Sequence, residues 1–159
     1  MLKRLAAGGA AAAIGLGVWG VAGEDHSTRD ESGAIVASGD VGAFVTKVGD
    51  CFDYMPGDKT ISTIPGVPCN GPHHWQVYHK EDTSLTSYDK NLLDQDVSAV
   101  CDAALQDLVD GMSDAKYETY KDSQGYSLFP TSESWAKGDR TIDCLEGSDT
   151  ITYYDSILD

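Results

Sequence analysis

Four cysteines, Cys51, Cys69, Cys101 and Cys144, constrain the fold of this chain more than any other feature. Successive cysteines stand 18, 32 and 43 positions apart, with no Cys-x-x-Cys pair. That spacing is unlike a zinc finger, so no metal is expected at them. In an oxidising compartment an even count in a small domain reads as two bridges. Four cysteines allow three pairings, and sequence alone does not strictly choose among them. One pairing has a physical argument. Pro56-Gly57-Asp58-Lys59 is a turn signal, and Cys51 and Cys69 lie nearly symmetrically about it. A hairpin there would bring Cys51 to Cys69 and leave Cys101 for Cys144.

The N-terminus supplies the compartment. Lys3 and Arg4 precede residues 5–23, which contain no charged side chain. A basic start before an uncharged apolar run is the export pattern. Nineteen residues would also just cross a bilayer core of roughly 30 Å. Residues 1–23 are therefore expected to be a hydrophobic helix, either a signal peptide cleaved after Gly23 or a transmembrane anchor. In both cases the rest of the chain faces outward. Localisation is expected at the outer side of the cell membrane, or in the medium. With 26 Asp and Glu against 11 Lys and Arg, the net charge is −15 at pH 7. Such a charge disfavours nucleic acid and anionic lipid as partners and would tolerate cationic partners, cell-wall cations or high ionic strength.

Residues 24–42 are polar, contain Gly and Ser, and lack periodicity, so a flexible linker is expected. The domain is expected over residues 43–148, with 149–159 a C-terminal tail or edge strand. Strands are expected over 43–48, 60–67, 75–80 and 140–146. Between Leu93 and Met112 apolar residues recur at steps of three and four, which predicts one main helix with Cys101 on its buried stripe. Asp94 or Asp96 is the expected cap, and Gly111 lies near the stop. The stretch around Tyr117, Tyr120 and Tyr126 is expected to be irregular. Glu133 to Gly138 should form one or two helical turns, capped by Thr131 or Ser132. The predicted class is α+β: a small disulfide-stapled antiparallel sheet with one main helix, preceded by the N-terminal hydrophobic helix.

Four short motifs occur in order: Val48-Gly49-Asp50-Cys51-Phe52, Val67-Pro68-Cys69-Asn70-Gly71-Pro72-His73, the helical Cys101, and Trp135-Ala136-Lys137-Gly138-Asp139-Arg140 before Cys144. Together they resemble the septum formation domain family of actinobacterial envelope proteins. The likeness covers about Val48 to Cys144. It implies a membrane-anchored or secreted protein linked to division-site or cell-wall assembly, with no established catalytic residues. One position departs: the family commonly has an acidic residue three places after the histidine, where this chain has Gln76. No histidine–carboxylate pair is expected there.

Candidate chemistry is sparse. His73, His74 and Trp75 with His79 form the one histidine cluster. Along a strand, His73 and His79 would stand about 20 Å apart, too far to share an ion. Without help from Asp50 or Asp139 they make no metal site, and His73 reads more simply as a structural residue after a Pro turn. There is no Gly-x-Ser-x-Gly elbow, and all four cysteines have a structural use. Glu133 and Asp139 near Trp135 suggest a sugar site less readily than cap and turn residues. The helix aspartates, Asp94, Asp96, Asp102, Asp107, Asp110 and Asp114, lack the pattern of a calcium loop and read as a solvated face. Possible binding residues are His73, His74, Trp75, Trp135 and Arg140, the last as a carboxylate contact. No enzyme, metal or cofactor is expected. The expected function is an extracytoplasmic envelope module acting through a division-site protein or cell-wall component. The alternatives are a secreted ligand- or metal-binding domain around His73, His74 and Trp75, and a small extracellular hydrolase inhibitor.

Overall fold

The computed structural model describes residues 24–57 and 61–158 and the backbone of Leu2–Arg4. The hydrophobic helix expected over 5–23 lies outside the described residues, as do Asp58 and Lys59 of the expected turn. Among the described residues no helix is long and apolar enough to cross a membrane.

The strands are β1 (Leu2–Arg4), β2 (Thr28–Arg29), β3 (Ile35–Ala37), β4 (Gly39–Gly42), β5 (Cys51–Phe52), β6 (Thr63–Val67), β7 (Trp75–Asp82), β8 (Gln124–Pro130) and β9 (Thr141–Gly147). The helices are α1 (Lys90–Gly111), α2 (Asp114–Tyr120) and α3 (Ser132–Ala136). One sheet runs in the order β1-β8-β9-β7-β5-β6-β4, and β2 pairs with β3 apart from it. Every neighbour pair in the large sheet is antiparallel except β1 with β8. Mixed helix and antiparallel sheet, one main helix and two disulfides are thus all present.

Side chains alternate across a strand, so each strand feeds two faces. Trp75, Val77, Leu128 and Leu145 point to one face, where Ile35, Val41, Phe52, Met55, Ile61 and Ile64 close over them. Tyr78, Phe129, Ile142 and Cys144 point to the other, against Leu93 and Val97 of α1, Tyr120, Tyr153 and Ile157. Tyr78 reaches the helix side by ordinary alternation after Val77, and the register shift between Val77 and His79 then sets His79, not Tyr78, opposite Cys144.

The expected hairpin is present. β5 pairs antiparallel with β6, Cys51 opposite Val67, and a disulfide joins Cys51 to Cys69 with Cα atoms 5.3 Å apart. The second bridge joins Cys101 of α1 to Cys144 of β9, Cα atoms 5.5 Å apart. In the chain-entropy model these loops contribute about 3 and 4 kcal/mol. The α1 stripe is as predicted, but the helix starts earlier. Asp89 caps it, accepting from the Asn91 and Leu92 amides, because Asp94 and Asp96 already lie inside the first turns. Thr131 caps α3 in a capping box with Ser134.

Four expectations need correction. Residues 24–42 are not a loose tether: they supply β2, β3 and β4, and Ile35 and Val41 are buried. Two isolated apolar side chains are enough once β6 offers β4 a strand edge. The strand expected over 43–48 falls one step earlier, at Gly39–Gly42, and 43–48 turn away from the sheet. The Tyr-rich stretch is regular, forming α2 and β8; β8 is held by long-range pairing to β9 rather than by its own propensity. Finally, the tail is neither loose nor a regular strand. Tyr153 makes an isolated bridge to His73, and Ile157 is buried on the helix side.

Candidate functional site

The residues singled out from sequence do not form one site. Trp75 begins β7, opposite Gly147 at the end of β9, whereas Arg140 immediately precedes β9. At roughly 3.3 Å per residue the two clusters sit about 20 Å apart along that strand.

The first cluster is structural. The His73 backbone exchanges hydrogen bonds with Tyr153, and its Nδ1 lies 3.0 Å from the Gly71 carbonyl. Its side chain is buried, and burial pushes the imidazole pKa below the ordinary value, against the Gly71 hydrogen bond. Trp75 is likewise buried, donating from Nε1 to Asp149 at 3.1 Å. His74 alone reaches the surface, with Nε2 3.2 Å from the Thr152 hydroxyl and Nδ1 3.5 Å from Asp53. His79 turns away and pairs with Glu81. Among the described residues no three His, Cys, Asp or Glu side chains are placed to hold a metal ion.

The second cluster is a packed corner. Arg140 lies over the Trp135 ring at 3.7 Å, and Tyr88 meets the same ring edge-on at 5.8 Å between centroids. Arg140 donates to the Trp135 and Asp139 carbonyls, closing the turn after α3. Gly138 sits there at φ 97°, a conformation that side-chain-bearing residues resist.

The other short motifs are also explained by packing. Asp50, 2% exposed, accepts from the Arg29 guanidinium (Nη2 to Oδ2 2.8 Å) and from the Lys47 amide at 2.9 Å. The Asp50 hydrogen bonds, opposed by burial, raise the Arg29 pKa further above its ordinary value. Gly49, at φ 95°, turns its carbonyl toward Cys69 Sγ and Gln76 Nε2. At the departing position Gln76 ties the C-terminal tail to β7. Its Oε1 accepts from the Ile157 amide at 2.6 Å while its Nε2 donates to Ser156 Oγ at 3.0 Å.

Two buried carboxylates escaped the sequence reading. Asp143 accepts from Thr46 Oγ1 at 2.6 Å and lies 3.5 Å from Lys80 Nζ. Glu146, 6% exposed, accepts from Ser123 Oγ at 2.6 Å through Oε1, but its Oε2 has no hydrogen-bond partner among the described residues. Burial raises its pKa above the ordinary carboxylate value, against the Ser123 hydrogen bond. Strand parity was the available signal, since Ile142, Cys144 and Glu146 alternate onto the helix side.

Open space also lies on that side. Cavities of about 530 and 210 Å³ flank Ile157, sharing Met112 as a wall, and the smaller one includes Glu146. A third, of about 420 Å³, is not confined to the helix side: it opens between the N-terminal segment, at Asp30 and Ile35, and Cys69, Lys116 and Ser156.

No curated protein and no solved structure matches the chain. A family model described as Septum formation matches residues 14–144, so the chain belongs to the septum formation family.

Proposed function

We propose that the protein is a non-enzymatic module of the cell envelope, facing outward from the membrane or released, that takes part in septum or wall assembly by binding a protein or wall component. The observation that carries this reading is family membership across residues 14–144, which include both disulfides. Two bridges in one small domain suit an oxidising, extracytoplasmic setting. The acidic surface, at net charge −15, suits a cationic partner. The motif residues Gly49, Asp50, His73, Trp135, Gly138 and Arg140 all serve packing or turns, which favours a binding scaffold over a reaction centre. The histidine-centred ligand site is not favoured, because His73 and Trp75 are buried.

The test is to deplete the protein in its native cells, map septa by a wall-labelling dye, and locate an externally accessible tag on the full chain. Enrichment of the tag at division sites, with mislaid or delayed septa on depletion, is the expected result. An evenly spread tag with normal septa and wall labelling would overturn the septal role. A tag confined to the cytoplasm would overturn the whole reading.

A further inference from the structure

We propose that the cavity between the C-terminal half of α1, α2 and Glu146 is a binding site for an alkylammonium group, a short hydrocarbon chain ending in a protonated primary amine. The inference goes beyond the envelope reading and stands or falls without it.

Helix α1 is covered unevenly. Leu93 and Val97 near its start are 1% and 0% exposed, whereas Leu105, Val109 and Met112 near its end are only partly buried although they continue the same stripe. Those three side chains form the apolar wall of a cavity of about 210 Å³. Tyr117, 48% exposed, stands at its rim, while Tyr120, Glu146 and Ile157 are its buried members at 5%, 6% and 1%. A cavity of roughly 150 Å³ takes benzene, so a chain of about five carbons fits here.

The polar end defines the ligand. Ser123 satisfies Glu146 Oε1, and Oε2 is left without a hydrogen-bond donor among the described residues. A buried carboxylate oxygen without a donor is costly. An ammonium would supply that donor and a charge-assisted bond at about 2.8 Å, while its hydrocarbon stem lies against Leu105, Val109 and Met112. An anionic ligand would meet the carboxylate charge, and a purely apolar one would leave Oε2 unsatisfied. The rival occupant is internal: Lys121 lines the cavity, but its Nζ is engaged by Glu118 at 2.7 Å.

The test is calorimetric titration of the full chain with pentylammonium chloride and, separately, with 1-pentanol. The amine is expected to bind about tenfold or more tightly than the alcohol, and Glu146→Gln to remove that preference while leaving the alcohol nearly unchanged. Equal binding of amine and alcohol, or an amine affinity unaltered by Glu146→Gln, would overturn the site. Should that variant not fold, Val109→Phe fills the apolar wall and must abolish amine binding; retained binding overturns the proposal. Lys121→Ala is expected to change the amine affinity less than about threefold. A gain of about tenfold or more would show that Lys121 itself occupies the cavity, and would overturn a ligand. Nα-acetyl-lysine methylamide separates the sources. Binding as tight as that of pentylammonium assigns a lysyl side chain of a partner, amine binding alone assigns a free amine, and binding of neither overturns the proposal.

Discussion

The two faces of the sheet are built from the same strands, yet they are finished differently. On one, Trp75, Val77, Leu128 and Leu145 are sealed by an N-terminal segment whose buried charge is matched: Asp50 meets the fork of Arg29. On the other, Glu146 keeps an oxygen without a hydrogen-bond donor among the described residues, and cavities run beside Ile157. Apolar stock does not explain the contrast, since α1 carries a full stripe. Coverage does. The Cys101–Cys144 bridge pins the middle of α1 to β9. Beyond that staple, the helix end leans on a short α2 and a tail held through Gln76. A face closed by strand pairing and a matched ion pair becomes core; a face closed by a stapled helix and a tail retains grooves.

Charge separates the two faces most strongly. Arg29→Ala removes the partner of a carboxylate that is 2% exposed, and should cost about 3–5 kcal/mol in urea unfolding. On the open face, Lys121→Ala removes an exposed i,i+3 pair with Glu118 and should cost under about 0.5 kcal/mol. Similar costs would mean that the two faces are equally tight.

A smaller contrast lies within α1. Leu93→Ala empties a fully enclosed position and should cost about 2–5 kcal/mol. Leu105→Ala, at the wall of an existing cavity, should cost about 1 kcal/mol because part of its surface already faces open space. Thermal or urea unfolding of the two variants checks the gradient along one helix. Equal losses would show that the helix end is as closed as its start.

The smallest effect concerns Glu146. Its folded pKa is raised above 4.5 by burial, so the folded state holds the proton more tightly than the unfolded chain. The contribution is fully present below pH 4.5 and is lost as pH rises through the folded value. Tyr78 and Tyr153 also face this region, but burial pushes both phenols above their ordinary value of about 10, and Lys121 lines the adjoining cavity. Glu146→Gln should flatten that part of the stability–pH curve. Melting temperatures of both proteins between about pH 4 and 8 measure it, and parallel curves would show that the carboxyl is not desolvated.

Local signals in the sequence were enough for the parts whose physics is local. The cysteine spacing about a turn, the three-and-four periodicity of α1, the alternation of Trp75–Lys80 and a cap at Thr131 or Ser132 each depend on residues close along the chain. They specify the hairpin, the helix, the central strand and α3. The family resemblance rested on motif residues that the structure shows to be turn, ion-pair and packing positions. Only the tertiary structure decided that residues 24–42 join the sheet. Ile35 and Val41 gain enough burial to order a polar segment only when β6 and the Asp50 carboxylate are in place. It likewise decided that Arg140 and Trp75 stand at opposite ends of β9, since strand length, not spacing in the sequence, separates them. Glu146 is the clearest case. Parity can put it beside Cys144, but whether its second oxygen finds a donor depends on how far α1, α2 and the tail close over it, and that balance of distant contacts has no counterpart in any short stretch of sequence.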